Sequence, residues 1–194
     1  MSIDNLLVEQ GAPTLAGLKT GNLFPLKTGG EDITPEIRKA NRILSAKGIR
    51  LIPVKKTAKG VLLYLFRPDR LRKDLTCPEA VCVLKEKGYP TDNPDGCLTC
   101  LVRHFMQDET FPHEVGLFLG YPPSDVKAFM ESPKDGYQCV GCWKAYSNQE
   151  EAQNTFRRYK HCTRVYRKEF GMGRSLESLA VDTRAGRHYQ TANR

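Results

Sequence analysis

The apolar positions change spacing several times along the chain, and each change predicts an element. Leu6 and Leu7 fall on the inner side of a short helix over residues 2–10, which Gly11, Ala12 and Pro13 are expected to interrupt. A helical turn and then a strand over 18–25 follow, with a glycine bulge at Gly21. Ile33, Ile37, Ala40 and Leu44 recur at helical spacing behind Thr34 as N-cap and Pro35 in the first turn, and Gly48 marks the stop. RLIPVKK and GVLLYLF, joined through Thr57, Ala58, Lys59 and Gly60, predict an antiparallel hairpin. Pro53 lacks a ladder donor and sends the first run to an edge, whereas the second is apolar enough to be central.

Helical signals dominate 68–107, where Thr76-Cys77-Pro78-Glu79 has the form of a capping box, Gly88 ends that helix, and Asn93-Pro94 opens another. Phe111–Met130 predicts two short helical segments meeting at a stiff Gly120-Tyr121-Pro122-Pro123 corner, with His113 and Glu114 exposed at its start. A strand is expected over 136–147. A long amphipathic helix then covers 148–170, with Ala152, Phe156, Tyr159, Cys162, Tyr166 and Phe170 as its stripe. This order implies an α+β fold, a small mainly antiparallel sheet packed by helices on one side. One compact domain over 1–181 and a polar, basic, flexible tail over 182–194 are expected.

A chain of 194 residues with 40% hydrophobic content can bury a sizeable core. No run approaches the length of a membrane span, and MSIDNLLVEQGAP lacks the pattern of a secretion signal, so a soluble cytoplasmic protein without membrane contact is expected. In that setting seven cysteines imply reduced thiols or metal ligands rather than a disulfide framework. Of the +8 net charge, +7 lies from Arg157 onward, ten Lys or Arg against Glu169, Glu177 and Asp182. That helix and tail could contact nucleic acid or an acidic partner, or form only a solvated face. Phosphate-loop, dinucleotide and Gly-x-Ser-x-Gly motifs are absent, which removes the usual support for nucleotide and hydrolase readings.

Cys97, Cys100 and His104 occupy i, i+3 and i+7 of one predicted helix, and Cys139 and Cys142 form a second Cys-x-x-Cys pair. Two such pairs have the donors for zinc or an iron-sulfur cluster. Their long separation and the strand predicted at the second pair favour separate, metal-free pairs instead. A redox role for Cys97 and Cys100 is the rival reading, although no thioredoxin-like pattern precedes them. His113 and Glu114 are candidates for an acid/base pair, or only first-turn residues. Lys19 and Asn22 lie in a polar segment able to line a site. Trp143, Lys144 and Tyr146 place aromatic rings and a cation along one segment, suited to a planar ligand or to half-buried packing.

APTLAGLKTGNLF, FPHEVGLFLGYP and GCWKAYSNQEEAQNTFRRYKHC occur in that order. Together they resemble an uncharacterised family of small bacterial proteins, found mainly in anaerobic Gram-positive species, across residues 1–181. Pro112, His113, Glu114, Gly116, Gly120, Tyr121, Pro122, Gly141, Trp143, Lys144, Tyr146 and Cys162 match its pattern, and several of the other cysteines do not. The resemblance implies no particular activity, substrate or cofactor. The function expected from the residues is a small-ligand- or metal-binding accessory protein. The alternatives are an enzyme using His113 and Glu114 for proton transfer and a nucleic-acid-binding protein using the basic C-terminal helix.

Overall fold

The computed structural model describes residues 2–107 and 110–183; the predicted tail therefore lies outside the described residues from position 184 on. The chain is an α+β protein whose contacts gather into two units, residues 1–68 with 161–194, and residues 69–160.

The first unit is built on a three-stranded antiparallel sheet. Strands β1 (Gly21–Lys27), β2 (Arg50–Thr57) and β3 (Gly60–Phe66) lie in the order β1-β3-β2, with Leu23 opposite Tyr64 and Ile52 opposite Tyr64 from the other side. The hairpin, the central place of GVLLYLF and the edge place of the Pro53 strand are as the sequence predicts; the register shifts between Pro53 and Lys55. Phe24, Leu51, Val61, Leu63 and Leu65 join one core with α1 (Ile3–Leu15), α2 (Thr34–Ala46), α9 (Leu176–Leu179) and the last turns of α8 (Gln149–Gly171), which add Tyr166 and Phe170. The Asn41 side chain pairs with both backbone groups of Leu51, at 2.7 and 2.9 Å, and so occupies part of the open edge of β2.

Three local expectations are corrected. Helix α1 does not break at Gly11-Ala12-Pro13 but runs on to Leu15, because this segment is buried and Gly11 sits where a Cβ would come within 2.5 Å of Leu65. Thr34 is not the cap of α2. The cap position falls on Ile33, which offers no side-chain acceptor, and Asp32 just before it accepts from the Thr34 N–H at 3.0 Å and the Thr34 hydroxyl at 2.6 Å. The Thr76 capping box also fails to form, since the Thr76 hydroxyl donates back to the Lys73 carbonyl and the cap position is taken by Cys77.

Buried Arg67 ties the helix ends of this unit together. Its guanidinium donates to the carbonyls of Thr14 (2.7 Å), Leu15 (2.8 Å), Lys47 (3.3 Å) and Val181 (2.8 Å) and to the Thr183 hydroxyl (3.1 Å). Carbonyls at the C-terminal ends of α1 and α2 carry partial negative charge, which a guanidinium satisfies in several directions at once.

The second unit is mainly helical: α3 (Pro68–Leu75), α4 (Pro78–Glu86), α5 (Pro94–Gln107), α6 (Val115–Phe118) and α7 (Pro123–Glu131), followed by the start of α8. Helix α7 packs on both α4 and α6. The strand expected over 136–147 is a minimal ribbon, β4 (Cys139–Val140) paired with β5 (Lys144–Ala145), which α7 also contacts. Among the described residues no helix is long and apolar enough to cross a membrane.

Candidate functional site

Helix α5 starts where the Asn93 side chain accepts from the Gly96 N–H at 3.0 Å and Pro94 supplies a pre-set first turn. Cys100 and His104 are then four residues apart, one above the other on the same face. His104 Nε2 lies 3.6 Å from Cys100 Sγ, and the Arg103 guanidinium reaches the same sulfur at 3.0 Å. The other ring nitrogen, Nδ1, lies 3.1 Å from Glu114 Oε1, which also accepts from the Tyr89 hydroxyl at 2.8 Å.

The predicted exposure of Glu114 is wrong in one respect that matters. His113 is exposed, its ring packed against Phe111 and Phe129 at 5.5 and 5.1 Å, but Glu114 is only 5% exposed. The chain turns here into α6, whose Val115, Leu117 and Phe118 are buried, and this carries Glu114 inward with them. Its partner is His104, ten residues upstream, rather than its neighbour.

An ionised carboxylate only accepts, so a Glu114 oxygen facing Nδ1 assigns the proton to that nitrogen. Nε2 is then left with a lone pair directed to the Cys100 thiol. The sulfur lies just under the surface: Cys100 is 4% exposed, but it touches the exposed Arg103 and a His104 side chain that is 19% exposed. Tyr89 stacks edge-on against the imidazole, with centroids 4.9 Å apart, and burial together with the adjacent Glu114 charge holds its hydroxyl protonated far above the ordinary range. The array can therefore move a proton from sulfur to imidazole, hold the ring in one orientation and place a guanidinium beside a thiolate.

Cys97 lies one turn earlier. Its thiol donates to the Pro90 carbonyl at 3.3 Å, and burial, helped by Cys100, pushes its pKa up to about 11. Among the described residues no three His, Cys, Asp or Glu side chains are gathered in a way that could hold a metal, so the two Cys-x-x-Cys pairs and His104 are not assembled into one site.

The remaining candidates are held in internal contacts. Buried Asp125 accepts from the Trp143 indole (2.8 Å), the backbone N–H of Tyr146 (2.9 Å) and of Ser147 (3.0 Å), and the Ser147 hydroxyl (2.9 Å). Trp143 stacks on Tyr121 and meets Phe156 edge-on, while a Cβ on Gly141 would enter the Phe156 ring. Lys144 donates to the Pro133 carbonyl at 2.6 Å beneath the Tyr137 ring, and the Tyr146 hydroxyl to the Ser132 carbonyl at 2.9 Å. Lys19 and Asn22 belong to the first unit, where Lys19 is buried and Asn22 accepts from the Thr14 hydroxyl at 2.7 Å.

Sequence reasoning placed Cys97, Cys100 and His104 on one helix and named Glu114 apart from them, beside His113, but missed Tyr89, Arg103 and the convergence itself. The i, i+4 spacing of Cys100 and His104 was the one available signal.

Fold and site together define an α+β protein with a cysteine–histidine–glutamate array in its helical unit. The chain belongs to the family described as protein of unknown function DUF3793, which matches residues 7–180. No curated protein and no solved structure matches it.

Proposed function

We propose that the protein is a thiol-dependent enzyme of the acyl-transfer or hydrolytic class, with Cys100 as nucleophile, His104 as general base and acid, and Glu114 as the group that orients the ring. The observation that carries this reading is the continuous line from Cys100 Sγ through His104 to Glu114, at 3.6 and 3.1 Å. A nucleophile, a base and a third group that fixes the tautomer form the arrangement that activates a thiol. Apo contacts of this kind tighten when substrate binds.

In the reaction the Cys100 proton passes to His104 Nε2 and the thiolate attacks a carbonyl carbon, forming a carbon–sulfur bond. His104 returns the proton to the leaving oxygen or nitrogen as the bond from that atom to the carbonyl carbon breaks. Water then attacks the thioester carbon as its proton passes to His104, the carbon–sulfur bond breaks to release the carboxylic acid, and His104 returns the proton to the sulfur. Arg103 supports the thiolate by charge, and Tyr89 holds the second bond to Glu114. One alternative from the sequence gave proton transfer to His113 and Glu114; in this proposal His104 carries the proton and Glu114 orients its ring.

A ligand-binding accessory role has less support, because Trp143, Lys144 and Tyr146 direct their polar groups to internal partners. A cytoplasmic setting suits the proposed chemistry, since a nucleophilic thiol needs reducing surroundings.

The test is p-nitrophenyl acetate. Expected is a burst of p-nitrophenolate of about one equivalent per chain, with mass spectrometry placing the acetyl group on Cys100. Cys100→Ser should abolish the burst, and His104→Asn should slow it by about 100-fold or more. Acetylation spread over the cysteines, with the burst unchanged in a folded Cys100→Ser protein, overturns the proposal.

A further inference from the structure

We propose that the outer face of α8 binds the phosphodiester backbone of nucleic acid, independently of the thiol site. Arg157, Lys160, Arg164 and Lys168 are all exposed and stand at i, i+3, i+7 and i+11. At about 100° and 1.5 Å per residue they form one stripe about 16 Å long and about 80° wide. Among the described residues none of the four is in an ion pair, whereas neighbouring Arg167 pairs with Glu9 and Arg174 with Glu169. Arg157 touches the Asn154 side chain, and Arg164 lies 3.0 Å from His161 Nδ1. Both guanidiniums thus keep most of their donors outward.

The other face of the helix decides the kind of partner. Ala152 and Cys162 are buried there, and Tyr166 and Phe170 pack into the core of the first unit. A helix that binds a membrane surface must insert an apolar face, and this one has already buried its own. A regular line of cations, beside which Val165 alone among the α8 residues is an exposed large apolar side chain, suits a regular line of phosphates, where Lys and Arg release counterions without reading bases. DNA and RNA share that chemistry.

Fluorescence anisotropy of the full chain tests this, with a short labelled RNA, the matching DNA strand and its duplex. Four contacts give a slope of log affinity against log salt of about −3 to −4, a loss of about 50- to 150-fold between about 50 and about 200 mM salt. The variant Arg157→Gln/Lys160→Gln/Arg164→Gln/Lys168→Gln lowers the net charge from +8 to +4. It should bind at least about 10-fold more weakly, with a nearly flat slope. A second full-length variant, Arg184→Gln/Arg187→Gln/Arg194→Gln, should keep most of the affinity. Comparing the strand, the duplex and the RNA decides which nucleic acid is preferred. The proposal fails if none of the three binds, if only anionic vesicles bind, if the helix variant binds as well as the parent, or if the tail variant alone abolishes binding.

Discussion

Asp125 supports a quantitative prediction. Its carboxylate is 3% exposed; Oδ2 accepts from the Trp143 indole, and Oδ1 from two backbone N–H groups and the Ser147 hydroxyl. Asp125→Asn keeps an oxygen for the three donors on one side and turns an amide NH2 toward the indole N–H, so two donors face each other. A hydrogen bond to a charged group contributes about 1.5–3 kcal/mol, and the three remaining bonds become weaker neutral ones, so the loss should be about 3 kcal/mol. Urea unfolding followed by far-UV circular dichroism measures it. Trp143 is the only tryptophan, so its emission reports the same site in the parent. In a Trp143→Phe background the facing donor is gone, and Asp125→Asn should cost about 1.5 kcal/mol less. A cost below about 1 kcal/mol, or an equal cost in both backgrounds, would refute the assignment of Asp125 as the clamp between α7 and the β4–β5 ribbon.

Arg67→Lys should destabilise the protein by about 2–4 kcal/mol in the same urea assay, because an ammonium has three donors where the guanidinium satisfies four carbonyls and a hydroxyl; a loss under about 0.5 kcal/mol counts against the staple. Burial raises the Cys97 and Cys162 thiols from 9.0 to about 11, so at about pH 8 roughly one in a thousand is ionised. Iodoacetamide on the native protein should therefore label them at least about 100-fold more slowly than exposed Cys82 and Cys142, as read by peptide mass mapping. The fold favours the neutral thiols, so stability should fall as pH rises from 9.0 through about 11, and a flat profile across that window would contradict the burial.

Local signals along the chain were sufficient for much of the first unit. The continuous apolar run of GVLLYLF, a proline in RLIPVKK and the stripe through Ile37, Ala40 and Leu44 set the hairpin, its central and edge strands and α2, because those patterns concern neighbours a few residues apart. The helix starts at Pro78, Pro94 and Pro123 were legible for the same reason, since proline restricts its own φ whatever surrounds it. Where such a signal met tertiary packing, packing won: α1 continues through Gly11 and Pro13 because Leu65 requires that close approach.

The sites were decided over longer distances. Glu114 was visible as a carboxylate at a helix start, but which way it points depends on the burial of Val115, Leu117 and Phe118. Its partners Tyr89 and His104 come from 25 and 10 residues away. Arg67 carries no local mark and Asp125 is marked only as a first-turn acid, because their role is to satisfy groups that only the folded chain brings together, across separations of up to 116 residues. Composition and periodicity determined the α+β class, the sheet and most helix starts. The thiol–imidazole–carboxylate line and the two buried polar clamps were decided by tertiary structure, because a buried charge is stable only where several distant donors or acceptors converge on it.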